Sequence, residues 1–458
     1  MSNEVTSKSD AGTDMKWTSL HGFCGGGGDA LGFQRADIEV IGAWDEDEKA
    51  CEDFEMLTGG KPYCGDVTEL IPSDLRDICG GRRPDIFISS PPCKGNSGLL
   101  SEEDASSEKY QKLNSLAQFG FWIVLEAWKD NPPPIVLLEN VSRITSRSRV
   151  WLDQTIAMLK GYDYAVAETK HDCGELGGLA QHRDRYMLIA RHVPQVPSLV
   201  FVPEKKRVKG IGEVIGGLPV PLPGREGGGP MHHLPRLSAM NWLRSALIPA
   251  GDDYRALPEK VRVCDGYQGR YGAVDRNDPS PTVSASHKTR LAPGSTADPR
   301  LTCSPRSTAY GVRGWNDPSL CVLASGCHDN SAASIADPRR PAESTHALFE
   351  CDEGMILCGP ELDLKSYTSA DPVPIIHAPD GTWHRPLTTL ELAAIQGFPV
   401  RYAGDWLKFA GNNNSDWRER IGNAIPPPAA ESIAKTCIAT LEAAAAGNFI
   451  LSNRNVWV

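Results

Sequence analysis

"FCGGGGDALGF", residues 23–33, decides how this chain folds. It follows a short apolar run, "KWTSL" (16–20), and leads into a stretch with helical texture, so four glycines stand where a strand turns into a helix. The backbone amides at such a turn suit a nucleotide-type ligand. Asp45 comes 20 residues after Gly25, at the end of the next apolar run "IEVIGAW" (38–44), a position suited to ribose hydroxyls. Glycines also serve tight strand-to-helix turns for steric reasons alone, which leaves a purely structural reading open. No lysine–serine/threonine pair follows the glycines, which argues against a phosphate-gripping loop.

From this turn outward the pattern repeats. "DIFIS" (85–89), "PIVLLE" (134–139) and "RYMLIAR" (185–191) read as further buried strands, and "YQKLNSLAQFGFWIVLEAWK" (110–129) and "RVWLDQTIAMLKGY" (149–162) as crossover helices. The alternation predicts an α/β fold: a doubly wound, Rossmann-like parallel sheet with helices on both faces. Residues 1–16 are polar and read as a disordered tail.

After Pro194 the texture becomes rich in Gly, Pro, Ser and Asp, and "LSAMNWLRSALI" (237–248) is a rare helical stretch. A repeat lies inside it. "YGAVDRNDPSPTVSAS" from Tyr271 matches "YGVRGWNDPSLCVLAS" from Tyr310, and Ala297-Asp298-Pro299-Arg300 matches Ala336-Asp337-Pro338-Arg339, all at an offset of 39 residues. Two copies are too few for a solenoid, so a duplicated strand-and-loop unit is expected. Asp298 and Asp337 read as turn formers, and Trp315 either as a stacking group or as packing. Helical texture returns in "TTLELAAIQG" (388–397) and "PPPAAESIAKTCIATLEAAAAG" (426–447), and residues 448–458 read as a tail. The expected organisation is a catalytic part at 17–192 and 419–447, interrupted by a smaller, mostly β or irregular unit at 193–418.

The chain has 458 residues and a formal net charge of −11, which alone argues mildly against a polyanionic partner. The distribution reverses that reading, because residues 191–340 hold 20 Lys+Arg against 13 Asp+Glu. The 13 cysteines form no CxxC pair and no cysteine–histidine cluster, so neither a zinc site nor a disulfide framework is expected. With no signal-like segment and no apolar run near 18 residues, a soluble cytoplasmic protein is expected.

Three further groups fall at strand ends. Cys93, in "SSPPCKGNS" (89–97), follows two prolines that fix its backbone, more constraint than a packing cysteine needs. As a nucleophile it would require a neighbour that favours the thiolate; as a structural residue it would simply be buried. Glu139 ends "PIVLLE" and should reach the same sheet edge, as an acid able to protonate a heterocycle or as a helix cap. Arg183 and Arg185 in "QHRDR" (181–185) share a face if the segment is extended.

In this order the motifs resemble those of the DNA (cytosine-5)-methyltransferases. "FCGGGG" is similar to their FxGxGG turn, "PPCKG" to PPCQ, "LENV" to ENV, "QHRDR" to QxRxR and "GNAIPP" (422–427) to GNAxPP, while "RPLTTLELAAIQGFP" (385–399) resembles the segment before that last motif. The resemblance covers residues 17–192 and 383–437. It implies S-adenosyl-L-methionine as cofactor, held by Phe23, Gly25, Gly27, Gly28, Asp45, Glu46, Asp66, Val67 and Asn423. It further implies Cys93 as the thiolate that adds to carbon 6 of cytosine, Glu139 on ring N3, Arg185 on O2 and Arg183 in support. The target base would be flipped out of double-stranded DNA, and residues 193–418 would recognise the sequence around it. A monomer working beside a restriction endonuclease, with no membrane association, completes this expectation. The chain departs from the pattern at Lys94, Asn96 and Ser89-Ser90 around the thiol, and at Glu46, where an apolar residue against adenine is usual. An RNA-modifying relative and a non-catalytic DNA-binding relative are the alternatives.

Overall fold

The structure, a computed structural model, describes residues 17–92, 108–221, 227–257 except 236 and 238, 311–322, 333–339, 376–448 except 380, and 455–458, together with strands at 273–275, 295–297, 346–350 and 356–358. The first half builds seven strands: β1 (Trp17–Gly22), β2 (Ile38–Asp45), β3 (Tyr63–Cys64), β4 (Ile86–Ser89), β5 (Ile135–Asn140), β6 (Tyr164–Asp172) and β7 (Asp184–His192). Between them run α1 (Gly28–Arg35), α2 (Glu48–Thr58), α3 (Pro72–Ile78), α4 (Glu108–Ala127), α5 (Arg149–Gly161) and α6 (Cys173–Gly177). The strands join in the order β3-β2-β1-β4-β5-β7-β6, so the winding reverses between β1 and β4. Ligands bind beyond the carboxyl ends of the strands at such a reversal.

The five strands expected from their apolar runs all form. One expectation is corrected: the sheet is not wholly parallel, because β7 runs antiparallel to both β5 and β6. This reversal matters for function. Glu139 ends β5 and Arg185 begins β7, so only an antiparallel pairing brings both to one edge of the sheet.

Two apolar layers cover the sheet. Leu20, Trp44, Phe87 and Leu138 point to one side, where α4 contributes Phe121 and Val124. Ile86, Ile88, Leu137 and Ile189 point to the other, where Phe33 of α1 meets Ala430 and Ile433 of a helix from the far end of the chain. The continuous apolar strands are thus buried on both faces, as a doubly wound sheet requires.

The rest of the chain adds α7 (Ile211–Ile215), α8 (Ala239–Leu247), α9 (Thr389–Gln396), α10 (Asn414–Asn423) and α11 (Pro427–Ala445). It also adds β8 (Ala273–Asp275), β9 (Ser295–Ala297), β10 (Val312–Arg313), β11 (Ser334–Asp337), β12 (His346–Glu350), β13 (Ile356–Cys358), β14 (Ile376–His377) and β15 (Trp383–Pro386). Six of these form a second sheet in the order β10-β11-β15-β14-β12-β13, while β8 pairs with β9.

The 39-residue repeat has a structural counterpart. Ala273 and Val274 lie opposite Ser295 and Thr296 in a parallel pair; Val312 and Arg313 lie opposite Ser334 and Ile335 in another. Adding 39 to the first register gives the second, so each copy folds as the same parallel strand pair. Trp315 packs: a Cβ on Gly212 of α7 would fall 2.0 Å from its Nε1, and Arg339 lies over its ring at 4.8 Å. Asp337 does accept from the Arg339 amide at 2.9 Å, as a turn former would, but its side chain is also fully buried and paired with Arg339 and Arg385. Asp298 lies outside the described residues.

Residues 455–458 pack against the body of the protein. Val456 bridges Phe201, Val202 donates to the Asn455 carbonyl at 2.8 Å, and the buried Trp457 donates its indole N–H to His171 at 2.6 Å. α10 runs through residue 418 and packs Trp417 and Ile421 into one core with Ile211, Leu390 and Ile395. Among the described residues, no helix is long and apolar enough to cross a membrane, and no cluster of three or more His, Cys, Asp or Glu could hold a metal ion.

Candidate active site

Beyond the carboxyl ends of β1, β2, β4 and β5 lies a cavity of about 630 Å³. Phe23, Gly25, Gly28, Asp45, Glu46, Asp66 and Val67 line one end; Pro91, Pro92, Glu139, Arg183 and Arg185 line the other; Asn423 and Ile425 close it from the C-terminal segment. Of the residues singled out in the sequence, Gly27 stands behind the wall as the N-cap of α1, at φ 78° with the Phe54 ring beside it. Cys93 lies outside the described residues. The Pro91 carbonyl just before it accepts a hydrogen bond from Asn140 at 3.2 Å, so the ENV motif fixes the entry to the thiol loop.

The glycine turn does two separate jobs. Gly25 has a positive φ of 49° and nothing within 4 Å of an added Cβ, so its backbone faces open space in the cavity. Its N–H donates to Asp45 Oδ2 at 2.8 Å, and the Asp47 N–H donates to Oδ1 at 3.0 Å, which aims the Asp45 carboxylate. Gly28, which lines the cavity, also answers a packing demand: a Cβ there would lie 2.5 Å from the Ile425 carbonyl oxygen. Gly28→Ala is therefore expected to push the C-terminal segment off α1, at a cost of about 1–3 kcal/mol. Thermal unfolding checks this, and an unchanged midpoint would show that the backbone yields.

At the other end, Glu139 is 7 % exposed and sits 3.0 Å from Arg185 Nε. Burial raises its pKa above the ordinary carboxylate value, against the pull of Arg185 and Arg183. Its Oε1 makes no hydrogen bond of good geometry among the described residues, which leaves capacity for a ligand. Arg183, 1 % exposed, spans three parts of the chain: it donates to Val322 O at 3.1 Å, Gly422 O at 2.7 Å and Ala424 O at 3.1 Å. It is thus a tie between segments, and Arg185 is the guanidinium beside the acid.

Asp66 is exposed and caps the turn after β3, its Oδ1 accepting from the Thr68 amide and hydroxyl at 2.8 Å. Glu46 lies exposed on the rim.

Sequence reasoning overlooked several supports. Gln181, fully buried within "QHRDR", donates to Gln396 Oε1 at 2.6 Å and accepts from the Val322 amide at 3.2 Å. Its place inside a quoted motif was the available signal. Asp53 of α2 accepts from Arg420 Nε at 2.5 Å and from the Ala410 amide at 2.6 Å, latching α10 across the cavity. These partners lie more than 350 residues apart, and no local pattern announces them.

Known proteins agree with this arrangement. The profile of the C-5 cytosine-specific DNA methylase family matches residues 15–215 and 350–439. Among curated proteins, the chain is 24 % identical over 300 residues to the Type II methyltransferase M.NgoFVII of Neisseria gonorrhoeae, covering 62 % of this chain and 74 % of that one. It is 28 % identical over 204 residues to the Type II methyltransferase M.XorII of Xanthomonas oryzae, covering 43 % and 45 %. Among solved structures, the Entamoeba histolytica methyltransferase EhMeth superposes with a TM-score of 0.55 at 12 % identity, over 92 % of this chain and 98 % of that one. A DNA modification methyltransferase encoded within an E. coli prophage gives 0.52 at 18 %, over 93 % and 99 %. At these identities the superpositions speak for the fold, and the profile, matched across more than half of the chain, speaks for descent: this protein belongs to the C-5 cytosine-specific DNA methylase family.

Proposed function

We propose that the chain transfers a methyl group from S-adenosyl-L-methionine to carbon 5 of a cytosine flipped out of double-stranded DNA, through a transient covalent bond from Cys93. The observation that carries this reading is the buried Glu139–Arg185 pair at one end of a cavity whose other end is the glycine turn.

The residues present fit the cofactor. Gly25 leaves room for close approach of its backbone, Asp45 offers an oriented carboxylate for ribose hydroxyls, and Asp66 offers an acceptor for an amino group. Phe23 and Asn423 would bound the site from opposite ends of the sequence. When bound, S-adenosyl-L-methionine supplies an electrophilic methyl group on sulfonium.

Carbon 5 of cytosine is too weak a nucleophile to take that methyl group unaided. Cys93, as thiolate, would add to carbon 6, and electron density would move through the ring toward carbon 5 and N3. Glu139 would hold N3 and deliver its proton as the adduct forms, a role its raised pKa suits. Arg185 would hold the O2 oxygen while neutralising Glu139 after the proton has left. Once carbon 5 has taken the methyl group, a base would remove the carbon 5 proton, the Cys93–carbon 6 bond would break to return the thiolate, and N3 would give its proton back to Glu139. Pro91, pinned by Asn140, and the following Pro92 would restrict the search of the thiol for the ring. The basic surplus in residues 191–340 would meet phosphates. A restriction-modification setting with a companion endonuclease is the context we propose, and the relatives named as Type II methyltransferases support it.

The test is label transfer. Incubated with tritiated S-adenosyl-L-methionine, the protein should label duplex DNA and not transfer RNA, and bisulfite sequencing of DNA from expressing cells should show protected cytosines at a defined site. Label in transfer RNA alone would move the substrate to RNA, and label in neither would overturn the reading. Cys93→Ser should abolish transfer yet still retard duplex DNA in a gel.

A further inference from the structure

The arginine pair poses an electrostatic problem. Arg183 and Arg185 project from one extended segment, and burial, reinforced by the neighbouring Arg185 charge, pushes the Arg183 guanidinium below its ordinary value. Glu139 answers Arg185, but the Arg183 contacts named above are uncharged carbonyls. Among the described residues, a sulfur touches both. Cys321 Sγ lies 3.3 Å from Arg183 Nη1 and 3.9 Å from both Nη1 and Nη2 of Arg185.

Cys321 comes from the second copy of the repeat, outside the segments that supply the catalytic motifs, and its position is tightly built. Ser319 donates to the Ala180 carbonyl at 2.8 Å, His182 donates to the Ser319 carbonyl at 3.0 Å, and the Val322 amide donates to Gln181 Oε1 at 3.2 Å. Residues 319–322 are zipped along residues 180–183, and the thiol faces the guanidinium groups as a result. Thr282 holds the equivalent place in the first copy, so a sulfur occurs in the copy that meets the arginines.

We propose that Cys321 is a positioning residue: its sulfur clamps Arg183 and Arg185 together and so holds Arg185 in line with Glu139 for the bound base. This rests on the function proposed above. A second buried cysteine, Cys173, lies near the same arginines but is dominated by burial. Burial pushes the Cys173 thiol up to about 12, whereas at Cys321 burial also pushes upward but is outweighed by Arg183 and Arg185, which hold the thiol below its ordinary value. A recognition segment that supplies this sulfur also makes the catalytic geometry depend on that segment being docked.

The test compares Cys321→Val, Cys321→Ala and Cys321→Ser with the unaltered protein in methyl transfer to duplex DNA. Valine and alanine are expected to lower kcat about tenfold or more with KM for the cofactor unchanged and the unfolding midpoint within about 2 °C. Serine, which keeps a hydrogen-bond acceptor, is expected to restore several-fold of that loss. An unchanged kcat in the valine and alanine variants, or a loss that serine shares in full, would overturn the clamp. A second arm needs no turnover: the rate of Cys321 alkylation by iodoacetamide, read by peptide mass spectrometry, should fall several-fold in Arg185→Gln. Equal rates would refute the contact. If the unaltered protein transfers no methyl group while alkylation still responds to Arg185→Gln, the proposed function fails and the sulfur–arginine contact survives.

Discussion

Glu139→Gln is expected to lower kcat for methyl transfer by about 10²- to 10⁴-fold, the usual range for losing a positioned proton donor. Glutamine keeps the shape and can still hydrogen-bond ring N3, so binding should change little. What it cannot do is give up a proton, so the adduct would form with its negative charge left on the ring. The pH dependence carries the same information. Because burial keeps the Glu139 pKa above that of an ordinary carboxylate, its protonated form persists to higher pH, and kcat should decline as pH rises through that value. Glu139→Gln should lack this alkaline-side decline, whereas Arg185→Gln, which removes the largest charge opposing protonation, should move it to higher pH. Rapid-quench measurements across a pH series would decide. A variant within about threefold of the unaltered protein at neutral pH would mean that N3 is protonated by another group.

How far the sequence speaks depends on the range of the interaction concerned. The glycine turn, the proline-bounded thiol and the acid ending β5 are local: each is a residue type placed by its own strand end, and each is legible. The direction of β7 is not. "YMLIA" is buried on both faces in either direction, so an apolar run cannot distinguish parallel from antiparallel, and the expected parallel sheet gives way to a reversed strand. β3 escapes notice because it is two residues long, and β6 because most of its positions are only partly buried on an edge strand. Gly28 reads from the sequence as a cofactor-side glycine, and nothing there marks Gly32. In the structure their missing side chains admit Ile425 and Pro427, nearly 400 residues away, since a Cβ on Gly32 would fall 2.4 Å from the Pro427 carbonyl oxygen. Cys321 belongs to this second group. Nothing in "PSLCVLA" marks a thiol that will lie against two guanidinium groups supplied by another part of the chain.

The second large effect is on stability, and it sits away from the cavity. Arg385→Met is expected to destabilise the protein by about 3–5 kcal/mol. Arg385 is fully buried and donates to Glu391 Oε1 at 2.7 Å, to Glu391 Oε2 at 2.8 Å and to Asp337 Oδ2 at 2.8 Å, and both carboxylates are themselves inaccessible. Glu391 also accepts from the Thr388 amide at 2.8 Å in the capping box that starts α9. One guanidinium therefore joins β11, β15 and the α9 terminus, and methionine would leave two buried carboxylates with Arg339 as their remaining guanidinium partner among the described residues. The cost comes from that orphaned charge rather than from lost packing, since methionine fills much of the same volume. A pH series separates the two causes. Burial pushes both carboxyl groups upward, but the arginines outweigh it and hold them below their ordinary values, so their stabilisation is present above the unfolded carboxylate range, about 3.9–4.3, and is lost as pH falls further. Without Arg385 burial dominates and the carboxyl groups take up protons more readily when folded, so the gap between the two proteins should be widest near neutral pH and narrow on acidification. Urea unfolding across that range measures it. Neutralising the orphans in Arg385→Met/Asp337→Asn/Glu391→Gln should recover part of the loss, and a gap that neither narrows with acid nor shrinks in the triple variant would place the cost in packing instead.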